Sequence, residues 1–234
     1  MYKQYICYIV QIIMYHENIW NKNKKENSMP RLKPEARAEK EQLRKTQITQ
    51  AAYEVISAKG YNNFTLDDIA KNAGLSKGGV LHYFKSKEDI LLYLLEQIYI
   101  IIKKNINKRS SKYRTPERRL RAIVIAFIVT AKRHPAFYTV LVDFWAQIPI
   151  HERVKYINTQ IYKQLCDEVI KVIEDGIASG VFKQVHADNT AHAIVAMVMN
   201  VAIQWTFNHE LYNIDHMAKT CIKMIMAYIE EKTK

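Results

Sequence analysis

Hydrophobic residues recur at spacings of three and four along most of the chain, which is the pattern of amphipathic helices. The first clear stripe lies in a predicted helix over 34–59 and consists of Ile48, Ala51, Ala52, Val55 and Ile56. Gly60 follows this stripe and is predicted to end the helix, because glycine readily adopts the left-handed backbone conformation. The chain therefore opens its patterned part with one long helix.

Capping signals then mark three further helices. The predicted N-caps, with the acidic residues that support two of them, are Thr65 with Asp68, Ser76, and Ser86 with Asp89. The inward residues of the first two helices are Leu66, Ile69, Ala70, Ala73, Val80 and Phe84. The third helix runs from Lys87 toward Asn107, so a long helix is followed by two short ones and a second long one.

The helical pattern continues to the end of the chain. Thr115 and Pro116 open the next helix as an N-cap with proline in the first turn. The predicted helices of this part cover 115–132, 135–147, 149–178, 188–208 and 215–230. With only 6 Gly and 5 Pro in 234 residues, the chain has too few turn residues for a sheet of many strands. The fold class is all-α, and Rossmann and barrel enzymes are disfavoured.

The first residues need separate treatment because Tyr5 to Tyr15 is an apolar run. This run is shorter than the approximately 20 residues that a membrane span requires, and His16 and Glu17 interrupt it. No small-residue cleavage motif follows it, which disfavours a signal peptide. We expect residues 1–28 to be a poorly ordered extension upstream of a natural start at Met29.

Charge and cysteine content narrow the function. The chain has 35 Lys and Arg against 23 Asp and Glu, a net charge of +12, which indicates a polyanionic partner such as nucleic acid or an anionic membrane. Its three cysteines are far apart and form no CxxC pair, so neither a disulfide framework nor a cysteine zinc site is predicted. No paired histidine spacing indicates a metal site, and no phosphate loop or nucleophile motif is present. We expect no metal, no cofactor and a reducing cytoplasm.

The two short helices have the composition of a helix-turn-helix. Gly74 permits the sharp turn, and the second helix is expected to stand outward and enter a DNA major groove. Its outward residues are Lys77, Gly78, Gly79, Leu81, His82 and Tyr83. Gly78 and Gly79 each cost about 1 kcal/mol of helix stability relative to Ala. Two interpretations explain their presence: they allow the backbone to approach DNA closely, or they leave space for neighbouring side chains.

The segment FTLDDIAKNAGLSKGGVLHYFKSKEDIL, from Phe64 to Leu92, resembles the DNA-binding domain of the TetR family of bacterial transcriptional regulators. The resemblance extends over about residues 43–95. It implies phosphate contacts from Thr65, Tyr83 and Lys87, with the Ser76 hydroxyl at the start of the reading helix. The groove contacts that it implies come from Lys77, Gly78, Gly79 and His82.

One position departs from the family pattern. Leu81 stands where the family often has Tyr, so a polar contact is lost and only contact with a thymine methyl remains for this side chain. The resemblance also implies a domain division, with a DNA-binding domain over 29–85 and a larger ligand-binding and dimerisation domain over 86–234.

The last two helices are the expected dimer interface. Helix 188–208 is apolar around most of its circumference, which predicts either two packing partners or a central position in a monomer. The candidate interface residues are Val195, Met199, Ile203, Met217, Cys221, Met224 and Tyr228. In the family that the chain resembles, the corresponding helices of two copies form a four-helix bundle.

Aromatic residues concentrate in the middle helices, where they are either core or the lining of a ligand pocket. The candidate effector-binding residues are Tyr93, Phe127, His134, Phe137, Leu141, Phe144, Trp145 and Tyr162. Such a lining suits an apolar or aromatic molecule, with a tyrosine or His134 available for an anionic end, and suits a polycationic drug poorly.

These observations predict a dimeric, ligand-responsive repressor that binds a palindromic double-stranded DNA operator and contacts no membrane. Displacement of the helix over 86–107 is the expected route from the effector to the DNA reader. Two alternatives have the same fold: an activator, and a regulator controlled by another protein. An all-helical enzyme or ligand carrier is a further alternative, but it leaves the basic helix-turn-helix without a role.

Overall fold

The computed structural model describes the backbone of residues 34–230 and the side chains of residues 36–230. The predicted extension over 1–28 and the predicted start at Met29 lie outside these residues. Within the described part the regular secondary structure is all α-helix, apart from one isolated bridge between Phe182 and Glu230. Its helices are α1 (Pro34–Lys59), α2 (Leu66–Asn72), α3 (Lys77–Tyr83), α4 (Lys87–Ser110), α5 (Pro116–Arg133), α6 (Pro135–Trp145), α7 (Glu152–Ala178), α8 (Ala187–Phe207) and α9 (Ile214–Ile229).

The predicted starts of α2, α3 and α4 are confirmed by their caps. Thr65 forms a complete capping box with Asp68, the Ser76 hydroxyl accepts a hydrogen bond from the Gly79 N–H, and the Ser86 hydroxyl accepts one from the Asp89 N–H. Each cap satisfies an N–H that has no partner within its helix. These caps fix where the short helices begin, so the sequence was sufficient to place them.

The predicted start of α7 at Pro149 is wrong. Residues 146–150 form turns after α6, and α7 begins at Glu152 with His151 as its N-cap. The backbone N–H groups of Ile150 and His151 both donate to the carbonyl of Gln147, which closes a turn in place of a first helical turn. Proline favours a first helical turn, but here it continues the connection from α6.

The first three helices and the start of α4 form one packing unit. Buried residues of α1, including Ile48, Ala52 and Ile56, pack with α2 and α3. Gly60 and Gly74 have positive φ angles of 76° and 63°, which confirms that each turn uses a left-handed glycine. This unit holds α3 at the surface, where only Val80 of its seven residues is buried.

Helices α4 to α9 form a larger bundle around α5, which packs against α4, α6, α7, α8 and α9. Helix α8 is long and apolar enough to cross a membrane by length and composition. Eight of its residues are nevertheless buried in the chain's own core, beside α5, α6, α7 and α9. This packing is that of a central helix in a helical bundle.

Polar contacts join the bundle to the DNA-reading unit, and three of them involve carboxylates. The Tyr61 N–H donates to the Asp143 carboxylate of α6 at 2.9 Å. Arg153 of α7 forms an ion pair with Asp89 at the start of α4, and His151 Nδ1 lies 3.8 Å from the Glu88 carboxylate. These contacts connect α6 to the turn after α1, and α7 to the first turn of α4.

Candidate DNA-binding surface and effector cavity

Helix α3 presents the predicted DNA-reading residues at the surface to different degrees. Ser76, Lys77, Gly78 and His82 are exposed, whereas Gly79, Leu81 and Tyr83 are partly buried. The Tyr83 ring packs edge-on against the His82 imidazole with centroids 4.9 Å apart, and it also contacts the core. Of the residues predicted to enter a groove, Lys77, Gly78 and His82 are thus the exposed ones.

The two glycines of α3 are not required by packing within the chain. A Cβ atom placed on Gly78 would have Ser76 Oγ, at 3.9 Å, as its nearest neighbour. On Gly79 the nearest neighbours would be Ser76 Oγ at 3.4 Å and Leu75 Cβ at 3.7 Å, which are ordinary contacts. One interpretation of these glycines is that they make room for neighbouring side chains. The open space around Gly78 does not support this interpretation at that position.

The predicted phosphate-contacting residues flank α3. Lys87 is partly buried, and its Nζ lies 4.2 Å from the centroid of the Phe64 ring, a distance typical of a cation–π contact. Thr65 is exposed, but its hydroxyl already takes part in the capping box, donating to Asp68 Oδ2 at 2.9 Å. The Lys87 ammonium is therefore held by the ring in a defined place beside the reading helix.

Two carboxylates of α2 neutralise part of this surface. Asp67 Oδ2 lies 2.9 Å from Lys77 Nζ, with both side chains mostly exposed. Asp68 lies 2.6 Å from Lys59 Nζ. This lysine, together with the hydrogen bonds from Thr65, lowers the pKa of Asp68 to about 2. Exposed pairs of this kind contribute little stability, so Lys77 is free to exchange its partner for another anion.

A cavity of about 350 Å³ lies between α4, α6, α7 and α8. Its lining is predominantly aliphatic and aromatic, with the Asn158 amide and two tyrosine hydroxyls as polar groups. The lining residues are Leu95, Ile98, Tyr99, Ile102, Leu141, Phe144, Trp145, Ile148, Asn158, Ile161, Tyr162, Leu165 and Met199. The volume lies within the range of small-molecule sites.

Hydrogen bonds set the orientation of the polar groups around this cavity. The Trp145 indole N–H donates to Asn158 Oδ1 at 3.0 Å, which links α6 to α7. The Tyr99 hydroxyl donates to Gln164 Oε1 at 2.7 Å, which links α4 to α7. No carboxylate is among the lining residues, so an uncharged or anionic ligand meets no buried negative charge here.

The structure brings four of the eight predicted effector-binding residues to the cavity, namely Leu141, Phe144, Trp145 and Tyr162. The other four have different surroundings. The Tyr93 hydroxyl accepts a hydrogen bond from Gln42 of α1, and its ring packs on Phe84. Phe127 is buried in the core, and its carbonyl accepts a hydrogen bond from the Tyr138 hydroxyl.

His134 and Phe137 also lie outside the cavity lining. Their rings stack with centroids 4.9 Å apart at the junction of α5 and α6. Burial, assisted by the neighbouring Arg133 charge, lowers the pKa of His134 to about 4. The imidazole is therefore neutral at neutral pH and is not positioned to meet the anionic end of a ligand in this cavity.

Sequence reasoning missed the contribution of α4 to the cavity, which consists of Leu95, Ile98, Tyr99 and Ile102. These residues recur at spacings of three and four, so they were recognisable as an inward stripe. The stripe alone does not reveal that it faces an open space. Sequence reasoning also did not assign Ile148, Asn158, Ile161 and Leu165 to the cavity. It assigned Met199, which lines the cavity, to the dimer interface.

Four of the seven predicted interface residues point into the chain's own core. Val195, Met199, Ile203 and Cys221 are buried within the single chain, so they are covered without a second copy. Met224 and Tyr228 are 60% and 55% exposed, and Met217 is partly exposed. The apolar circumference of α8 is thus largely explained by its own bundle, and the surface left for a partner is smaller than predicted.

One side-chain cluster near the cavity has the residue types of a nucleophilic triad. Cys166 Sγ lies 3.6 Å from His192 Nδ1, and His192 Nε2 lies 3.7 Å from Asp188 Oδ1. Burial, however, raises the pKa of the Cys166 thiol to about 11, so it is protonated at neutral pH. A thiol without thiolate character is a poor nucleophile and metal ligand.

Comparison with known proteins gives two matches along the chain. Residues 48–94 match the family described as bacterial regulatory proteins, tetR family, and residues 116–231 match the C-terminal domain of BetI-type transcriptional repressors. The fatty acid metabolism regulator protein of Bacillus subtilis is 25% identical over 190 residues, or 80% of this chain and 95% of the relative. The regulator BetI of Burkholderia lata is 30% identical over 138 residues, or 56% of this chain and 71% of BetI.

Solved structures show the same architecture. A transcriptional regulator from Saccharomonospora viridis in complex with choline has a TM-score of 0.73 at 23% identity, covering 80% of this chain and 98% of its own. FadR from Bacillus subtilis in complex with stearoyl-CoA has a TM-score of 0.67 at 23% identity, covering 76% and 96%. The relatives named here are all named as regulators. With its helix-turn-helix and its larger helical domain, the chain belongs to the TetR family of bacterial transcriptional regulators.

Proposed function

We propose that this regulator is a cytoplasmic, dimeric repressor whose affinity for a palindromic operator falls when a small molecule occupies the cavity. The carrying observation concerns α4. This helix begins at the Ser86 cap beside the DNA-reading unit and, a little over two turns later, lines the cavity from Leu95 onward. A ligand that pushes on α4 therefore moves the element on which the reader rests. We divide the chain accordingly into a DNA-binding domain over 29–85 and an effector domain over 86–234.

In this proposal α3 enters the major groove. Lys77, Gly78, Gly79, Leu81 and His82 approach the bases. The residues that contact phosphates are Thr65, Ser76, Tyr83 and Lys87. Support comes from the exposure of Lys77, Gly78 and His82, and from the absence of an internal packing reason for glycine at position 78. Lys77 exchanges the Asp67 carboxylate for DNA.

The second copy is proposed to pack on α8 and α9. The exposed side of α8 consists largely of small or flexible residues, among them Ala193, Ala196 and Asn200, which allow close helix approach. Beside it α9 presents Met217, Met224 and Tyr228. Two such faces form a four-helix interface of the bundle type. The symmetry then places two reading helices about 34 Å apart, as successive major grooves require.

The proposed effector has an extended apolar part. Of the thirteen lining residues, seven are Leu or Ile, and these suit an aliphatic chain of the kind carried by the stearoyl-CoA bound to FadR. The four aromatic residues favour a second candidate, a quaternary ammonium such as the choline bound to the S. viridis regulator, since aromatic rings attract such cations. Sodium stearate and choline are therefore the first compounds to compare.

The test is footprinting and fluorescence anisotropy on the DNA upstream of the protein's own gene, with stearate, choline or no addition. The expected result is a symmetric footprint and at least about a tenfold loss of operator affinity with stearate, which requires about 1.4 kcal/mol of differential binding. Lys87→Ala should weaken binding to operator DNA and to random DNA alike, whereas Lys77→Ala should alter the sequence preference of binding. Lys163→Ala on α7 is the control for loss of one positive charge.

Other results would contradict parts of the proposal. Wild-type affinity of the Lys87→Ala and Tyr83→Ala proteins would contradict the docking. Tighter operator binding in the presence of the effector would favour an activator or a co-repressed regulator. A footprint that only a second protein abolishes would favour the protein-controlled alternative.

A further inference from the structure

The polar groups that line the cavity differ in whether the protein already uses them. Four lining residues carry side-chain hydrogen-bond donors, namely Tyr99, Trp145, Asn158 and Tyr162. The other nine lining side chains are leucine, isoleucine, phenylalanine or methionine. The pairing of these four donors therefore decides which polar group of a ligand the cavity can recognise.

The two tyrosine hydroxyls both donate to protein oxygens. The Tyr99 hydroxyl donates to Gln164 Oε1 at 2.7 Å. The Tyr162 hydroxyl donates to the backbone carbonyl of His192 at the longer distance of 3.4 Å. Because a hydroxyl has a single hydrogen to donate, a ligand meets these two groups mainly as acceptors.

The Asn158 amide is oriented by Trp145. The indole Nε1 lies 3.0 Å from the amide, and an indole N–H only donates, so the atom that faces it is the amide oxygen Oδ1. The NH₂ group is the other branch of the same planar amide and carries two hydrogens. Among the residues that the structure describes, no atom accepts a hydrogen bond from Asn158 Nδ2. This nitrogen is therefore the uncommitted donor of the cavity.

The position of Asn158 on α7 makes its polarity informative. It lies one turn before the next lining residues of that helix and opens a row that continues with Ile161, Tyr162 and Leu165. The helical spacing of this row accepts an aliphatic residue at its first position. An amide there has either a structural role, holding Trp145, or a role in recognition as well.

We propose that Asn158 Nδ2 selects the effector by donating a hydrogen bond to an oxygen acceptor, a carboxylate or a neutral carbonyl, on an otherwise apolar molecule. This inference rests on the proposed effector role of the cavity. Trp145 is the positioning residue, because its N–H keeps Oδ1 turned away from the ligand. An ammonium group brings only donors and a quaternary ammonium brings none, so neither gives Nδ2 a partner. A site built around a hydrogen bond rejects ligands that lack the matching group.

The test exchanges the donor for an acceptor at nearly constant shape. Asn158→Asp keeps an oxygen facing the Trp145 N–H and replaces Nδ2 by a carboxylate oxygen. Octanoate, methyl octanoate and octylammonium serve as probes, since they share one chain length and differ in the head group. Isothermal titration calorimetry on the full chain measures their affinities. Methyl octanoate has acceptors but no charge, so it separates the hydrogen bond from charge repulsion.

The wild type should bind octanoate and methyl octanoate at least about tenfold more tightly than octylammonium. Asn158→Asp should bind both acceptor probes at least about tenfold more weakly than the wild type does, and octylammonium more tightly. Trp145→Phe should lower the preference for methyl octanoate over octylammonium, although Asn158 is still present, because the amide is then free to turn.

The control for added charge is Gln160→Glu. This residue lies two positions later on α7, outside the cavity lining, and the substitution also changes an amide to a carboxylate. It should keep the wild-type order of affinities. Circular dichroism melting checks that each variant folds. If Asn158→Asp does not fold, Asn158→Leu removes the donor without adding charge and should weaken methyl octanoate to a similar degree.

Two results would overturn the inference. Equal affinity of the wild type and the Asn158 variants for methyl octanoate would leave the amide only the structural role of holding Trp145. A wild type that binds octylammonium as tightly as octanoate would show that the cavity does not select an acceptor.

The inference and the proposed function fail in different ways. If Asn158→Asp loses affinity for methyl octanoate, the role of Asn158 stands even when no probe changes operator affinity. If octanoate releases operator DNA from Asn158→Asp as readily as from the wild type, the proposed function stands and Asn158 has no part in recognition.

Discussion

The carboxylate of Asp143 accepts a hydrogen bond of 2.9 Å from the backbone N–H of Tyr61, although 82 positions separate the two residues. This N–H directly follows Gly60, whose φ is 76°. Asp143 immediately precedes Phe144 and Trp145, which line the cavity. The bond therefore joins a wall of the proposed effector site to the turn that follows α1 in the DNA-reading unit.

Replacement of Asp143 by Ala is expected to reduce the effect of the ligand on DNA binding more than either binding event itself. A hydrogen bond to a charged group contributes about 1.5–3 kcal/mol, and part of this is available for coupling. We expect the loss of operator affinity on addition of stearate to fall by about threefold or more. Fluorescence anisotropy titrations of operator DNA, with and without stearate, measure this loss of affinity.

Asp167→Ala, at an exposed position of α7, controls for the loss of one negative charge. If stearate lowers the operator affinity of Asp143→Ala as much as that of the wild type, the Asp143–Tyr61 hydrogen bond does not couple the cavity to the DNA-reading unit. Transmission would then depend on α4 alone.

Gly78→Ala is expected to stabilise the protein and to weaken its DNA binding. Alanine in a helix is about 1 kcal/mol more favourable than glycine, and the new Cβ has no neighbour closer than 3.9 Å. Chemical denaturation should therefore show a higher free energy of unfolding. A lower operator affinity in the same protein would show that the methyl group collides with DNA, whereas an unchanged affinity would remove the proposed close approach at this position.

Charges placed at two methionines should have different consequences. Met224→Glu lies on the exposed side of α9 and is expected to produce a folded monomer. Met199→Glu buries a carboxylate inside the chain, next to the cavity, and should destabilise folding by several kcal/mol. Sedimentation velocity at micromolar concentration, together with circular dichroism, distinguishes the two. A Met224→Glu protein that stays dimeric would place the interface elsewhere.

The two aromatic residues at the end of α6 are expected to behave differently as well. Phe144 is fully buried, so Phe144→Ala should cost about 3–5 kcal/mol of stability besides any effect on ligand. Trp145 is partly exposed, and Trp145→Leu should fold normally while binding stearate about tenfold more weakly. Operator binding without ligand should remain at the wild-type level. Its loss in Trp145→Leu would mean that this side chain belongs to the structural core.

Acid should destabilise the protein through His134. The folded state protonates this residue only near pH 4, whereas an unfolded histidine takes up a proton near pH 6.5. Between these values the unfolded chain binds more protons, so stability falls as pH decreases from about 6.5 to about 4. His134→Asn should show a flatter decrease of melting temperature over that interval. His216→Asn, at an exposed position, serves as the control and should follow the wild-type curve.

Local signals placed the DNA-reading unit well, because caps and turns depend on neighbouring residues. Thr65, Ser76 and Ser86 cap as predicted. Tertiary relations were harder to predict. An apolar residue on a helix faces either its own chain, a cavity or a second copy, and the sequence pattern is the same in each case. Val195 and Cys221 were therefore assigned to a dimer but lie in the core, and Tyr93 was assigned to the cavity but contacts Gln42.

The shared use of α4 has a consequence for how the repressor is titrated in the cell. If occupancy of the cavity lowers operator affinity by some factor, thermodynamic reciprocity requires that bound operator lower effector affinity by the same factor. A protein already on DNA then responds only at effector concentrations above the dissociation constant measured for free protein. Unbound copies take up the compound first, so the number of copies present sets the threshold at which the operator is released.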